Sequence, residues 1–417
     1  MMSKLIIVPL VLMAMRARAQ QPPAVRQIGK LERVSADSIV LQSVQNALAM
    51  PNGRVMINDV IGRRVLLLDS TLAQATAVAD TTNATGTAYG RSSATVIQFR
   101  GDSALLIVPS TLSMFVLTPS GAIARTMAVG RPSDLSQPDG SWIAPAVDAK
   151  GRLIYLGSAN VLPGMTTIAL GAQLHEDGKP TAATVAMQRI MRPTDSAAIV
   201  RADLETRSLD TLAWIKVPRF RRQLRADADG RAAAIESIPD ALPILDLATT
   251  LNDGTLAIVR GRDLHIDWVD ASGRITSSPK IPFDWKKVDD ARKRELIDST
   301  VKKWQAQYDQ FAPRGGRGGV QLAPQVVVAA APADLPGYVP PFGEHAVDSD
   351  AEGNVWIQTT TIDDDRPVYD VVNRRGELID RVQLPAFRTI AGFGAGVVYM
   401  ALQTTDRKVR LERARIH

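Results

Sequence analysis

Apolar and polar positions along the chain form short strand-like runs, and one recurring kind begins just after a turn. PNGRVMI around Gly53, RGDSALLIV around Asp102, AKGRLIYL around Gly151, NDGTLAIV around Gly254, AEGNVWI around Gly353 and GAGVVYM around Gly396 share this design. Glycine supplies a positive φ without a Cβ clash, and the alternating or unbroken apolar residues after it fit a half-buried or buried strand. A second apolar strand, closing on a polar turn, follows each one: VLLLDSTL at Asp69, MFVLTPSG at Thr118, IVRADLET at Asp203, IDWVDASG at Asp270, YDVVNRRG at Asn373 and VRLERARI at Glu412. The offsets from first to second element are 16, 16, 52, 16, 20 and 16 residues, and the gaps to the next first element are 33, 33, 51, 83 and 23. The undecorated unit is therefore 49 residues long.

A period of roughly 40–50 residues built from strands is that of a propeller blade. No such unit can bury both faces of its own small sheet, so neighbours must stack, and closing the row into a ring leaves only short, protected edges. The pattern predicts an all-β protein, a six-bladed β-propeller with one helical insertion. Closure is expected to pair Arg26–Val34 with the C-terminal strand, Lys408–Ile416.

Departures from the period mark insertions. One at about 158–194 contains LPGMTTIALGAQLHEDGKP and reads as a protruding hairpin; QLRADADGRAAAIES, around Gly230, reads as a shorter one. A third, about 284–343, opens with VDDARKRELIDSTVKKWQAQYDQF, whose Ile297, Val301, Trp304, Tyr308 and Phe311 recur at helical spacing. It continues as a Gly-, Pro- and Ala-rich loop, with RGGRGG at Arg314–Gly319 read as a flexible linker.

With the repeats in view, Pro51–Asp69, PNGRVMINDVIGRRVLLLD, resembles an NHL repeat, and the whole array resembles six-bladed propellers of the NHL, SMP-30-like and TolB-like type. The resemblance implies binding of proteins, glycans or small ligands at one ring face; some such domains are metal-dependent lactonases or lyases. The SMP-30 kind implies a Glu with Asn and Asp pointing into the channel. Fold alone does not choose among these activities.

The N-terminus adds a location. Lys4, an apolar run from Leu5 to Met15 and Ala17-Arg18-Ala19 have the layout of a signal peptide cut after Ala19, leaving residues 20–417 as a single propeller domain, secreted or periplasmic. No segment has the roughly 20 apolar residues of a membrane span. The chain has no cysteine, so stability must come from burial without disulfides, and thiolate metal sites and cysteine nucleophiles are excluded. Its net charge of +6 falls to +3 when Lys4, Arg16 and Arg18 leave with the signal peptide, too little to point to nucleic acid.

Candidate chemistry is sparse. Positions eight residues before each turn align as Gln45, Ala94, Ile143, Asp246, His345 and Arg388; the polar four, Gln45, Asp246, His345 and Arg388, form a candidate ligand site at the channel mouth. Only Asp246 among them fits the metal-ligand set that the resemblance implies. DSDAEGN, Asp348–Asn354, imitates the start of a calcium loop, yet its twelfth position is Thr359 where a bidentate Glu is required, so it reads as a blade turn. His175, His265, His345 and His417 form no metal-binding pair, GFGAG at Gly392–Gly396 reads as a turn between strands, and RFRRQLR, Arg219–Arg225, as a solvated basic loop. The leading reading is a non-catalytic binding module without cofactor, whose partner is an unknown protein, glycan or small molecule. Its insertions at 158–194 and 284–343 build the recognition surface, and Trp304, Tyr308 and Phe311 contact the partner. The alternative is a channel-mouth metal-dependent hydrolase or lyase using Asp246, His345 and Arg388.

Overall fold

The computed structural model describes residues 22–417 apart from 91–93, 129–142, 158–194, 219–220, 230–231, 312–324, 365 and 407. Each two-strand unit of the sequence is the middle of a four-stranded antiparallel sheet: the glycine-led run is the second strand and the polar-closed run the third. From the centre outward, blade one is Ala47–Ala49, Val55–Asp59, Arg64–Leu68 and Ala75–Ala79, and blade two is Thr95–Gln98, Ala104–Val108, Ser113–Leu117 and Ile123–Ala128. Blade three is Ala146–Val147, Leu153–Leu156, Ser196–Ala202 and Leu209–Lys216, and blade four is Asp246–Thr250, Leu256–Arg260, His265–Val269 and Ile275–Ser277. Blade five is Phe342–Ser349, Val355–Asp363, Arg366–Val372 and Leu378–Gln383; blade six is Arg388–Gly394, Val397–Gln403 and Val409–Arg415, completed by Leu31–Val34.

Six hydrophobic clusters fill the six junctions between neighbouring blades. Successive side chains of a strand point to opposite faces, so each second strand feeds two of these cores. Val55 and Ile57 pack toward blade six while Met56 packs toward blade two. In blade four, Leu256 and Ile258 face blade three, and Ala257 and Val259 face blade five. Burial on both sides is why these strands read as unbroken apolar runs. Each fully buried Leu or Ile contributes about 1.5–3 kcal/mol. Trp356, only 1% exposed, is a large anchor of the junction between blades five and six.

In four blades the Asx residue that closes the third strand holds the turn to the outermost strand, whereas Glu412 of blade six lies within its strand and binds Arg388. Asp69 Oδ1 accepts from the amides of Ala73 and Gln74, Asp203 Oδ1 from Glu205 and Thr206, Asp270 Oδ1 from Ser272 and Arg274, and Asn373 Oδ1 from Arg375 and Glu377. Short Asx side chains mimic a backbone turn in this way. Hydrogen bonds from Ser272 and the Arg274 amide hold the Asp270 carboxyl down at about 2. DSDAEGN is likewise the turn between the first two strands of blade five, with Asp350 Oδ1 accepting from the Asn354 amide. Of GFGAG, the first three residues end the innermost strand of blade six and Ala395–Gly396 make the tight turn to its second strand.

Ring closure is more elaborate than the sequence reading. Leu31–Val34 pairs antiparallel with the Val409–Arg415 strand, as expected, but Val25–Gln27 pairs parallel with Arg381–Gln383 of blade five. The N-terminal segment thus straps two blades. Arg26 clamps the strap, donating to Asp380 at 2.5–3.2 Å and to the Ile416 carbonyl at 2.8 Å.

The insertions also combine unexpectedly. The hairpin around Gly230 is present as Arg221–Ala226 paired with Ala232–Ile238, so the RFRRQLR run lies largely in a strand rather than a loop. Gln325–Val327, within the stretch read as a loop, adds to this hairpin as a parallel third strand. The helix spans Asp290–Phe311, and the Asp289 carboxylate accepts from the Arg292 amide at its start. Two segments separated by blade four therefore fold as one small unit; residues 158–194 and 314–319 lie outside the described residues, as does the N-terminal stretch read as a signal peptide.

Deleting residues 22–34 should lower the melting temperature by about 10 °C or more, because blade six loses its outermost strand and the strap together. A melting curve unchanged by the deletion, followed by circular dichroism, would show that the ring does not depend on this clasp.

Candidate functional site

Strand parity divides the ring into two faces. Innermost strands begin on one face, second strands return to it, and outermost strands end on it. All three insertions, which join second to third strands or one blade to the next, therefore leave from this same face, called here the insertion face. The glycine-led and Asx-closed turns lie on the opposite face.

The six aligned positions also belong to the insertion face, at or near the starts of the innermost strands. Ala94 and Ile143 are 1% and 2% exposed and pack into interblade cores. Even within an innermost strand, alternate residues turn to the neighbouring blades rather than to the channel: Leu247 joins one core and Ala248 the other.

The polar four stand on four different blades in different surroundings. Gln45 is exposed, and its Oε1 accepts from Asn58 Nδ2 at 2.8 Å. Asp246 is buried and engaged: it accepts from the Lys216 amide at 2.9 Å, Arg260 at 2.8 Å and the Gly261 amide at 3.2 Å. Arg260 also binds Asp267 at 2.7 Å, and His265 bridges Asp267 and Asp263. Arg388 is held by Glu412 through two bonds of 2.9 and 3.0 Å. His345 is exposed with φ of 57°, on a strand whose pairing is irregular between Phe342 and Val347. On the helix, Tyr308 donates to Ser237 Oγ at 3.2 Å and Trp304 meets Tyr308 edge to face; both side chains are half-buried. The Phe311 side chain lies outside the described residues.

A cleft of about 410 Å³ opens where the insertion unit meets blade four. It is lined by the turn Gly261–Arg262–Asp263 with Lys280, and by an aromatic wall of Trp285 and Tyr338 with Pro336 and Pro340. The Val288 amide donates to the Gly337 carbonyl and the Val339 amide to the Lys286 carbonyl, both at 2.9 Å, tying together the two chain segments that hold the aromatic wall. Phe283 meets the Trp285 indole edge to face at 5.2 Å. None of these residues carries a sequence signal of its own; they become neighbours only when blade four is flanked by both halves of the insertion.

Asp348, read from sequence only as the start of a blade turn, stands instead on the innermost strand of blade five opposite Trp356. Its carboxyl has no hydrogen-bond or ion-pair partner among the described residues, and burial pushes it up to about 6. Burial, reinforced by the Asp348 charge, also raises the Tyr369 phenol. A carboxyl raised in the folded state stabilises the fold fully below its unfolded value near 4, and this contribution is lost as pH rises through about 6. Asp348→Asn should therefore raise stability at pH 7.5 by on the order of 1–2 kcal/mol, allowing for its partial solvent contact, and change it little at pH 4.5. Equal shifts in melting temperature at both pH values would contradict this placement.

No family model and no curated protein matches the chain. Among solved structures it is similar to a putative exported protein from Bacteroides fragilis, at 8% identity over 94% of this chain and 95% of that one, with a TM-score of 0.43. It is also similar to a regucalcin, a calcium-binding protein from Agrobacterium tumefaciens, at 10% identity over 94% and 96%, with a TM-score of 0.40. A streptogramin B lyase aligns at 9% identity over 94% and 88%, with a TM-score of 0.38.

Proposed function

We propose that this protein is a secreted or periplasmic recognition module that binds a protein, glycan or small-molecule partner on its insertion face. The observation that carries this reading is where large apolar side chains meet solvent. Val40, Ile61, Leu112 and Phe387 are 44–80% exposed on connections of the insertion face, and Ile362, 55% exposed, stands near the insertion-face end of the second strand of blade five. Leu31, Ile123, Trp214, Ile275 and Ile379 lie on outermost strands; among the described residues none stands on a turn of the opposite face. Exposed apolar side chains on the loops of one face are candidates for an interaction site.

Phe387 adds a second kind of support. It is 80% exposed and held at φ of 62°, a left-handed conformation that is costly for a bulky residue, and its carbonyl accepts from the Gln403 amide at 3.0 Å. Strain of this kind concentrates at binding sites. Gln45, His345 and the ion-paired Asp246 and Arg388 would line the inner margin of the same face.

A catalytic reading, hydrolase or lyase, has one observation in its favour: Asp348 has no bonded partner among the described residues and its carboxyl is raised to about 6, a value suited to general acid or base work. Among the described residues no group of three or more His, Cys, Asp or Glu side chains is placed to hold a metal ion.

Combined Ile61→Ser, Ile362→Ser and Phe387→Ser should weaken partner capture at least about tenfold, equivalent to 1.4 kcal/mol, while leaving melting unchanged. The control Trp214→Ser with Ile379→Ser, on the outer edge, should leave capture intact. Loss in the control, or retention in the face variant, would overturn the reading.

A further inference from the structure

The cleft between blade four and the insertion unit has a chemical bias. Its aromatic wall is fixed: Lys287 and Tyr338 face each other in a backbone bridge, flanked by the two 2.9 Å bonds described above, and Phe283 props the Trp285 ring. Tyr338 is 45% exposed, so the wall offers a wetted aromatic surface that costs little to order on binding.

The cleft lining also carries unbalanced charge. Asp263 is already shared between Lys280 at 3.3 Å and His265 at 2.8 Å, and this pairing holds its carboxyl below the ordinary value despite the cost of burial. Arg262, next in the chain, is exposed and has no carboxylate partner among the described residues. One guanidinium therefore stands uncompensated beside an aromatic platform. A guanidinium presents a planar fork that matches a carboxylate through two parallel hydrogen bonds, and an aromatic wall favours a flat apolar face.

We propose that this cleft binds a ring-bearing carboxylate, its ring laid against Trp285 and Tyr338 and its carboxylate received by Arg262. The inference rests on the insertion face being the recognition face, and it names the ligand chemistry of one part of that face. A uronic sugar and an aromatic acid both present this chemistry. A volume of about 410 Å³ accommodates a single ring of either kind.

The test is titration calorimetry of the full chain with D-glucuronate, benzoate and the neutral D-glucose. Glucuronate or benzoate should bind at least tenfold more tightly than glucose. Binding of glucuronate alone assigns the cleft to acidic saccharides, and of benzoate alone to aromatic acids. Arg262→Ala should weaken the preferred acid at least tenfold, Arg262→Lys should restore part of the loss, and Trp285→Ala should weaken the acid and glucose alike. Glucose binding as tightly as the acids, an unaltered affinity in Arg262→Ala, or no heat from any probe at 10 mM would overturn the proposal. Partner capture by the Ile61, Ile362 and Phe387 variants is read separately, so failure of the cleft assignment is distinguishable from failure of the recognition face.

Discussion

A blade of four short strands has two apolar faces and can cover neither by itself. Everything else in this molecule follows from that deficit. Each blade shares one core with the blade before it and another with the blade after it, and six junctions hold six clusters. Such an arrangement has no natural end, so the first and last blades must meet. The chain supplies the join by delaying one strand: blade six takes its outermost strand from Leu31–Val34, and Val25–Gln27 extends the grip to blade five. With no cysteine to staple the ring, the hydrogen-bonded clasp and the cores it brings together carry that task.

The same strand order separates structure from recognition. Antiparallel strands in even number begin and end on one face, so long connections can be added there without disturbing the opposite turns. Those turns are short and self-contained, closed by glycine or by an Asx side chain. The insertion face carries the added segments, the exposed apolar side chains and the strained Phe387. Its polar rim is partly committed to the fold: Asp246 and Arg388 are neutralised by ion pairs that tie innermost strands to the rest of their blades.

Blade four occupies a special place because insertions precede and follow it. Their union through the parallel strand Gln325–Val327 makes a second small structure, with the Asp290–Phe311 helix contributing Gln305 and Tyr308 to its bonding. The cleft is a by-product of this bracketing. Asp348 is a different feature, belonging to the ring itself: an innermost-strand carboxyl near Tyr369, set where burial rather than a charged partner governs its titration.

The repeat was legible because its middle strands are buried on both faces and its turns demand glycine or a short polar side chain; Leu256–Arg260 after Gly254 and His265–Val269 before Asp270 announce themselves in this way. The helix was legible because Ile297, Val301 and Trp304 keep one period through an isolated segment. Innermost and outermost strands were harder, being short, as in Ala47–Ala49, or solvent-exposed along much of their length, as in Ile123–Ala128. Tertiary structure alone decided that Gln325–Val327 would be a strand, since its partner is a hairpin some ninety residues away. It alone brought Trp285, Tyr338 and Arg262 to one cleft, and left Asp348 without a bonded partner among the described residues. Local pattern fixes what a segment must bury and how it must turn; which distant groups meet depends on how the closed ring orients its loops, and no local spacing encodes that.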